Sequence, residues 1–152
     1  METIQEPVLI EAILHAREQV DFIWQFFVTV HIAVFALLFI YDDAVDRLSP
    51  FARIFAIVGI GLFDFINGQA LINAYQMLDA MMDQYRVSYG QIERFQPLFY
   101  ERFVLLEYAH RPNIVKVTHS LALIVVVVAL FARHLMQSRS DDATRSPTVQ
   151  DG

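Results

Sequence analysis

Two rhythms of hydrophobic and polar positions run along this chain. Three blocks are almost continuously apolar: Phe22–Tyr41, Ile54–Asn73 and Ile114–Ala132. Each is about 20 residues long, which at about 1.5 Å per helical residue covers the roughly 30 Å of a hydrocarbon core. Beside them run stretches in which apolar residues recur at helical spacing on one side and charges occupy the other: Val8–Val20, Leu71–Tyr85 and Ile92–Leu106.

The junctions predict how these stretches join. Pro7 suits a first helical turn, and nothing breaks the pattern before Tyr41, so one helix is expected from about Pro7 to Tyr41. Asp42 to Pro50 is a short charged connection, with Ser49-Pro50 as the next helix start. The second helix should run through its apolar block and on to a turn at Ser88-Tyr89-Gly90. Gln91–His110 carries a helical stripe through Ile92, Phe95, Phe99, Phe103 and Leu106, with Pro97 as its beginning. Pro112 is either a kink or a fresh start. Gln137–Gly152 is polar without an apolar period and reads as a disordered tail.

The expected fold is therefore all-α: an integral membrane protein with three transmembrane helices, at about 22–41, 54–73 and 114–132. Three crossings bring the amphipathic stretches 7–21, 74–87 and 91–110 to one side, where their apolar stripes should pack into a water-exposed helical stalk. Residues 1–136 then form one helical domain. The stalk aromatics Tyr75, Tyr85, Phe95, Phe99 and Phe103 read either as that stalk's own core or as anchors for a partner. The runner-up fold is a soluble antiparallel bundle with a very apolar core.

Composition agrees. Of 152 residues, 56% are hydrophobic and 18% charged, below the quarter usual in soluble domains. A net charge of -6 argues against nucleic acid as a partner. There is no cysteine, hence no disulfide framework or thiol nucleophile. The acidic N-terminus does not read as a cleavable signal peptide. Basic residues divide almost evenly between the two sides and set no orientation. The expectation is a multi-pass protein of a cell or inner membrane.

The chemistry is concentrated in the apolar blocks. Asp64 sits in the middle of the second, where a carboxylate needs a partner, a proton or a water-filled cavity. On a helical wheel Gly61, Asn67, Gly68, Leu71, Tyr75 and Asp79 share its face. Depth counting sets His31 level with Asp64 and His119 close to Asn67. The expected intramembrane polar cluster is thus His31, Asp64, Asn67 and His119.

The leading expectation for this cluster is interhelical hydrogen bonding in a small non-enzymatic membrane protein, an oligomer or an accessory or scaffold subunit. The alternative is a proton- or cation-conducting homo-oligomer using Asp64 and His31, because a histidine and a buried carboxylate can both titrate near neutrality. A b-type haem between His31 and His119 ranks last, since no spacing motif supports it and their levels differ by about 5 Å. No HExxH, phosphate loop, catalytic triad or lipidation signal is present, so neither enzyme activity nor a cofactor is expected. Asp42, Asp43 and Asp46 read as a solvated acidic turn rather than a metal site.

Overall fold

The computed structural model describes residues 4–41 and 47–144, with side chains described as far as 131. Three long helices carry the fold, and among the described residues there is no strand. Helix α1 spans Glu6–Ile40, 35 residues with Pro7 in its first turn. Helix α2 spans Pro50–Tyr89, 40 residues, and opens where Ser49 accepts a hydrogen bond from the Ala52 N–H at 3.2 Å. Helix α3 spans Arg111–Thr144, with Pro112 as its second residue. At about 1.5 Å per residue, α1 and α2 are about 50 and 60 Å long. All three are long and apolar enough to cross a membrane.

Helix α2 is central. It packs along both α1 and α3, whereas α1 and α3 meet only briefly. It ends at Gly90, whose N–H bonds to the Arg86 carbonyl at 3.1 Å; a Cβ there would lie 2.6 Å from that oxygen, so only glycine closes the helix this way.

The stretch from Gln91 to His110 does not form the single helix expected from Pro97 onward. A 3-10 turn covers Ile92–Arg94, a single α turn covers Pro97–Phe99, and a π turn covers Tyr100–Val104. Two causes are visible. Pro97 has no N–H to continue a helix and holds Gln96 extended. Farther on, the Tyr108 N–H is captured by the Asp79 carboxylate at 2.9 Å, away from any helical carbonyl. Pro97 does begin the longer helical piece, as its position suggested. The Arg111 N–H then bonds to the Tyr108 carbonyl at 2.9 Å, so α3 is a fresh start and not a continuation kinked at Pro112.

Helix α3 also runs to Thr144, past Gln137, where the chain was expected to become disordered. No proline or glycine interrupts it before Pro147. Residues 145–152 and the acidic turn of Asp42, Asp43 and Asp46 lie outside the described residues.

Two cores result. The larger lies at the amphipathic end, where Leu9 and Ile13 of α1 meet Leu78, Met82 and Tyr85 of α2, closed over by Val104. The first two amphipathic stripes bury one another along Leu9, Ile13, Leu78, Met82 and Tyr85, while the third covers them only in part and leaves Ile92 exposed. Tyr75 and Tyr85 are buried, and Phe95 and Phe103 pack partly against this core. Phe99 does not share their burial: it stacks on Phe103 at 5.0 Å but stays 46% exposed. The smaller core, Leu38, Val126 and Leu130, lies at the opposite end. There the buried Arg53 donates to the Leu130 carbonyl at 3.2 Å and ties α2 to α3. Between the cores the bundle is apolar on its outside: Phe22, Phe39, Phe55, Phe65, Ile66 and Leu121 are each 59–67% exposed.

Candidate functional site

Each long helix contributes one face to a polar cluster midway along the bundle. On α1, Trp24, Phe27 and His31 fall at i, i+3 and i+7 and share a side. On α2, Asp64, Asn67 and Gly68 face inward and are buried. On α3, His119 is buried one turn after Val115. All four side chains expected in the cluster are thus brought together, as two pairs.

The first pair is His31 and Asp64. His31 Nε2 lies 3.3 Å from Asp64 Oδ1, and each residue is only 5% exposed. The atoms are not aligned for a hydrogen bond, and both Asp64 oxygens are buried with no hydrogen-bond partner. The other ring nitrogen of His31 is committed: Nδ1 lies 3.0 Å from the Phe27 carbonyl. A carbonyl can only accept, so Nδ1 carries a proton. Nε2 then accepts from a protonated Asp64, or carries the second proton of an imidazolium facing a carboxylate. One proton serves both arrangements. An ionised Asp64 without such a partner would be costly in this setting.

The second pair repeats the pattern. His119 Nδ1 donates to the Val115 carbonyl at 2.9 Å, and Nε2 lies 3.0 Å from Asn67 Oδ1. The Asn67 Nδ2 donates in turn to the Ile23 carbonyl at 3.4 Å. An Oδ1 facing Nε2 requires that nitrogen to donate, which with Nδ1 also donating would need the doubly protonated ring. Rotating the Asn67 amide by half a turn presents Nδ2 instead and suits the neutral ring.

Phe27 joins the pairs, with its ring centroid 4.2 Å from that of His31 and 4.0 Å from that of His119. Trp24 closes the cluster on the side of the larger core: its indole donates to the Tyr75 hydroxyl at 2.9 Å and its ring lies 5.8 Å from His119. Gly68 permits the approach of α3, since a Cβ there would sit 3.4 Å from the His119 ring. Gly61, on the same face, has more room, with Leu123 at 4.0 Å. Beside the cluster a cleft of about 320 Å³ opens between α2 and α3, lined by Asp64, Gly68, Gln69, His119 and Ser120 among others.

The arrangement does not suit axial ligation of a haem. All four ring nitrogens of His31 and His119 are turned onto protein atoms, and the two Nε2 atoms face different partners. Among the described residues no group of three or more His, Cys, Asp or Glu side chains is placed to hold a metal ion.

Trp24 and Phe27 carry no signal of their own among the aromatics of an apolar block. Their spacing to His31 on one helical face is the only sequence feature that marks them.

The chain matches no protein-family model, no curated protein and no solved structure.

Proposed function

We propose that this chain is a non-enzymatic, multi-pass membrane protein that works as a subunit of an oligomer and binds a proton on its His31–Asp64 pair within the bilayer. The observation that carries the reading is the buried Asp64 carboxyl, with no hydrogen-bond partner of its own and a histidine nitrogen at 3.3 Å. A side chain kept only as interhelical glue would be expected to spend its oxygens on donors. Here they face a group that can accept or supply a proton.

Membrane placement is supported by the inverted distribution of apolar side chains. A soluble bundle hides its phenylalanines, whereas Phe22, Phe55 and Phe65 here point outward, as lipid contact requires. Placing the apolar blocks in the bilayer leaves the larger core outside it as a water-exposed stalk. The accessory-subunit reading gains less, since Tyr75 and Tyr85, two aromatics available as docking anchors, are consumed in the stalk's own core. Three helices enclose no pore, so transfer across the membrane needs a second copy or a partner, and the cleft between α2 and α3 offers the approach to Asp64.

Asp64→Asn keeps shape and hydrogen bonding but cannot titrate; Asp64→Leu removes both. In liposomes carrying a pH gradient, the parent should pass protons, and Asp64→Asn should fold normally but lose the flux. Asp64→Leu should in addition lose roughly one to two kcal/mol of helix association. Equal flux in parent and Asp64→Asn, or none in the parent, would remove the proton role and leave an accessory or scaffold subunit.

A further inference from the structure

A second cleft, of about 320 Å³, lies away from the proton pair, where α1 and α2 meet the start of α3. Its lining includes Arg17 and Asp21 of α1, Tyr75 of α2, Leu106 and Tyr108 of the connection, and Arg111 of α3. All three helices are at the same level there. Arg17 and Asp21 lie just before the first apolar block, Tyr75 just after the second, and Arg111 just before the third. With the spans in a bilayer, this is the headgroup level on the stalk side. The inference rests on that placement and not on the proton pair.

Two guanidinium groups converge on the cleft, and among the described residues neither forms an ion pair with a carboxylate. The Arg17 guanidinium itself lies over the Phe103 ring, 5.9 Å from its centroid, and against the Tyr108 hydroxyl, neither of which neutralises its charge. Arg111 Nε is buried with no hydrogen-bond partner. The one acidic group on the lining, Asp21, is exposed to solvent. Tyr75 accepts from Trp24 and retains its own O–H to donate, and Tyr108 stacks on it with centroids 6.1 Å apart. Two cationic forks, a hydroxyl donor and an apolar back wall form a receptor for a phosphate oxyanion attached to something greasy.

We propose that this cleft binds the phosphate of an anionic phospholipid from the surrounding leaflet. A membrane lipid is favoured over a free phosphate ion by the level of the cleft and by its apolar wall, which includes Val20, Leu78 and Leu106.

The test is lipid retention by the full chain, purified in detergent with equal phosphatidylglycerol and phosphatidylcholine and weighed intact by native mass spectrometry. The parent should keep phosphatidylglycerol preferentially. Arg17→Gln with Arg111→Gln should lose that retention about tenfold or more, because both charged donors to the phosphate are removed. Arg17→Lys with Arg111→Lys keeps both charges and much of the packing, and should hold the preference in weaker form. This variant decides the matter if the Gln variant does not fold. Equal retention of the two lipids by the parent, undiminished retention in the Gln variant, or no preference in the Lys variant would overturn the site. Displacement of the lipid by inorganic phosphate would overturn its assignment to lipid. A chain that stays soluble without detergent would instead overturn the membrane placement.

Discussion

At the residue scale, the cluster is built on one local device used twice. His31 and His119 each spend Nδ1 on the carbonyl four residues back in their own helix, which fixes both rings and aims Nε2 at α2. Gly68 is what allows the second of these rings to reach Asn67. Gly68→Ala adds a Cβ 3.4 Å from the His119 ring, a contact that a shift of a few tenths of an ångström relieves, while better helix propensity offsets the cost. It should melt within about 1 kcal/mol of the parent. Gly68→Val adds β-branches beside the His119 ring and should cost about 1–3 kcal/mol, measured by thermal unfolding in detergent. Equal stability of the Val variant would show that α3 is not held against this face. The four polar members of the cluster were legible in the sequence, because polar residues are rare in apolar blocks and depth follows from counting residues. Their pairing was not, since it depends on the rotation of each helix about its axis.

At the scale of elements, the long helices were legible from their ends. Pro7, Ser49-Pro50 and Gly90 are chemical stops and starts that tertiary contacts rarely override. The connection between α2 and α3 was not legible in this way. Ile92, Phe95, Phe99 and Phe103 keep helical spacing whether the backbone is continuous or broken, and the contact that diverts the chain, Asp79 to the Tyr108 N–H, joins residues far apart in sequence. The start of this connection is fastened to the start of α1 by ionisable groups. Arg94 Nη2 donates to Glu6 Oε2 at 2.8 Å, and the Tyr85 hydroxyl donates to Oε1 at 3.1 Å. The bond from Arg94 holds the Glu6 carboxyl below its ordinary value of 4.5, against an opposing effect of burial and with help from Tyr85. A carboxyl lowered by folding stabilises the fold above its unfolded value, and that contribution disappears as pH falls through the lower folded value. The melting temperature of the parent should therefore drop more steeply than that of Glu6→Gln as pH is lowered from about 5 to 3. Parallel curves would mean that the Glu6–Arg94 contact contributes nothing to the fold.

At the scale of the whole molecule, α2 is the spine and α1 and α3 lean on it from different sides. Its length of 40 residues is about twice what a bilayer needs, so its second half can serve the stalk while its first half carries Asp64. If all three long helices cross the membrane, the odd number of crossings has a direct consequence for the termini. Tags at Met1 and Gly152 should be accessible from opposite faces of sealed vesicles. Accessibility of both from one face would mean that one long helix does not cross, and with it would fall the common headgroup level assigned to Arg17 and Arg111.

The indole of Trp24 is the only one in the chain, and it lies 5.8 Å from the His119 ring. Imidazolium quenches excited indole by electron transfer far better than neutral imidazole does. The molecule therefore contains its own optical reporter: a pH titration of its intrinsic emission reads the charge state of one buried ring, without label or reconstitution. Emission should brighten as His119 loses its second proton, and His119→Phe should flatten that step. A titration unchanged by the substitution would place the quencher elsewhere.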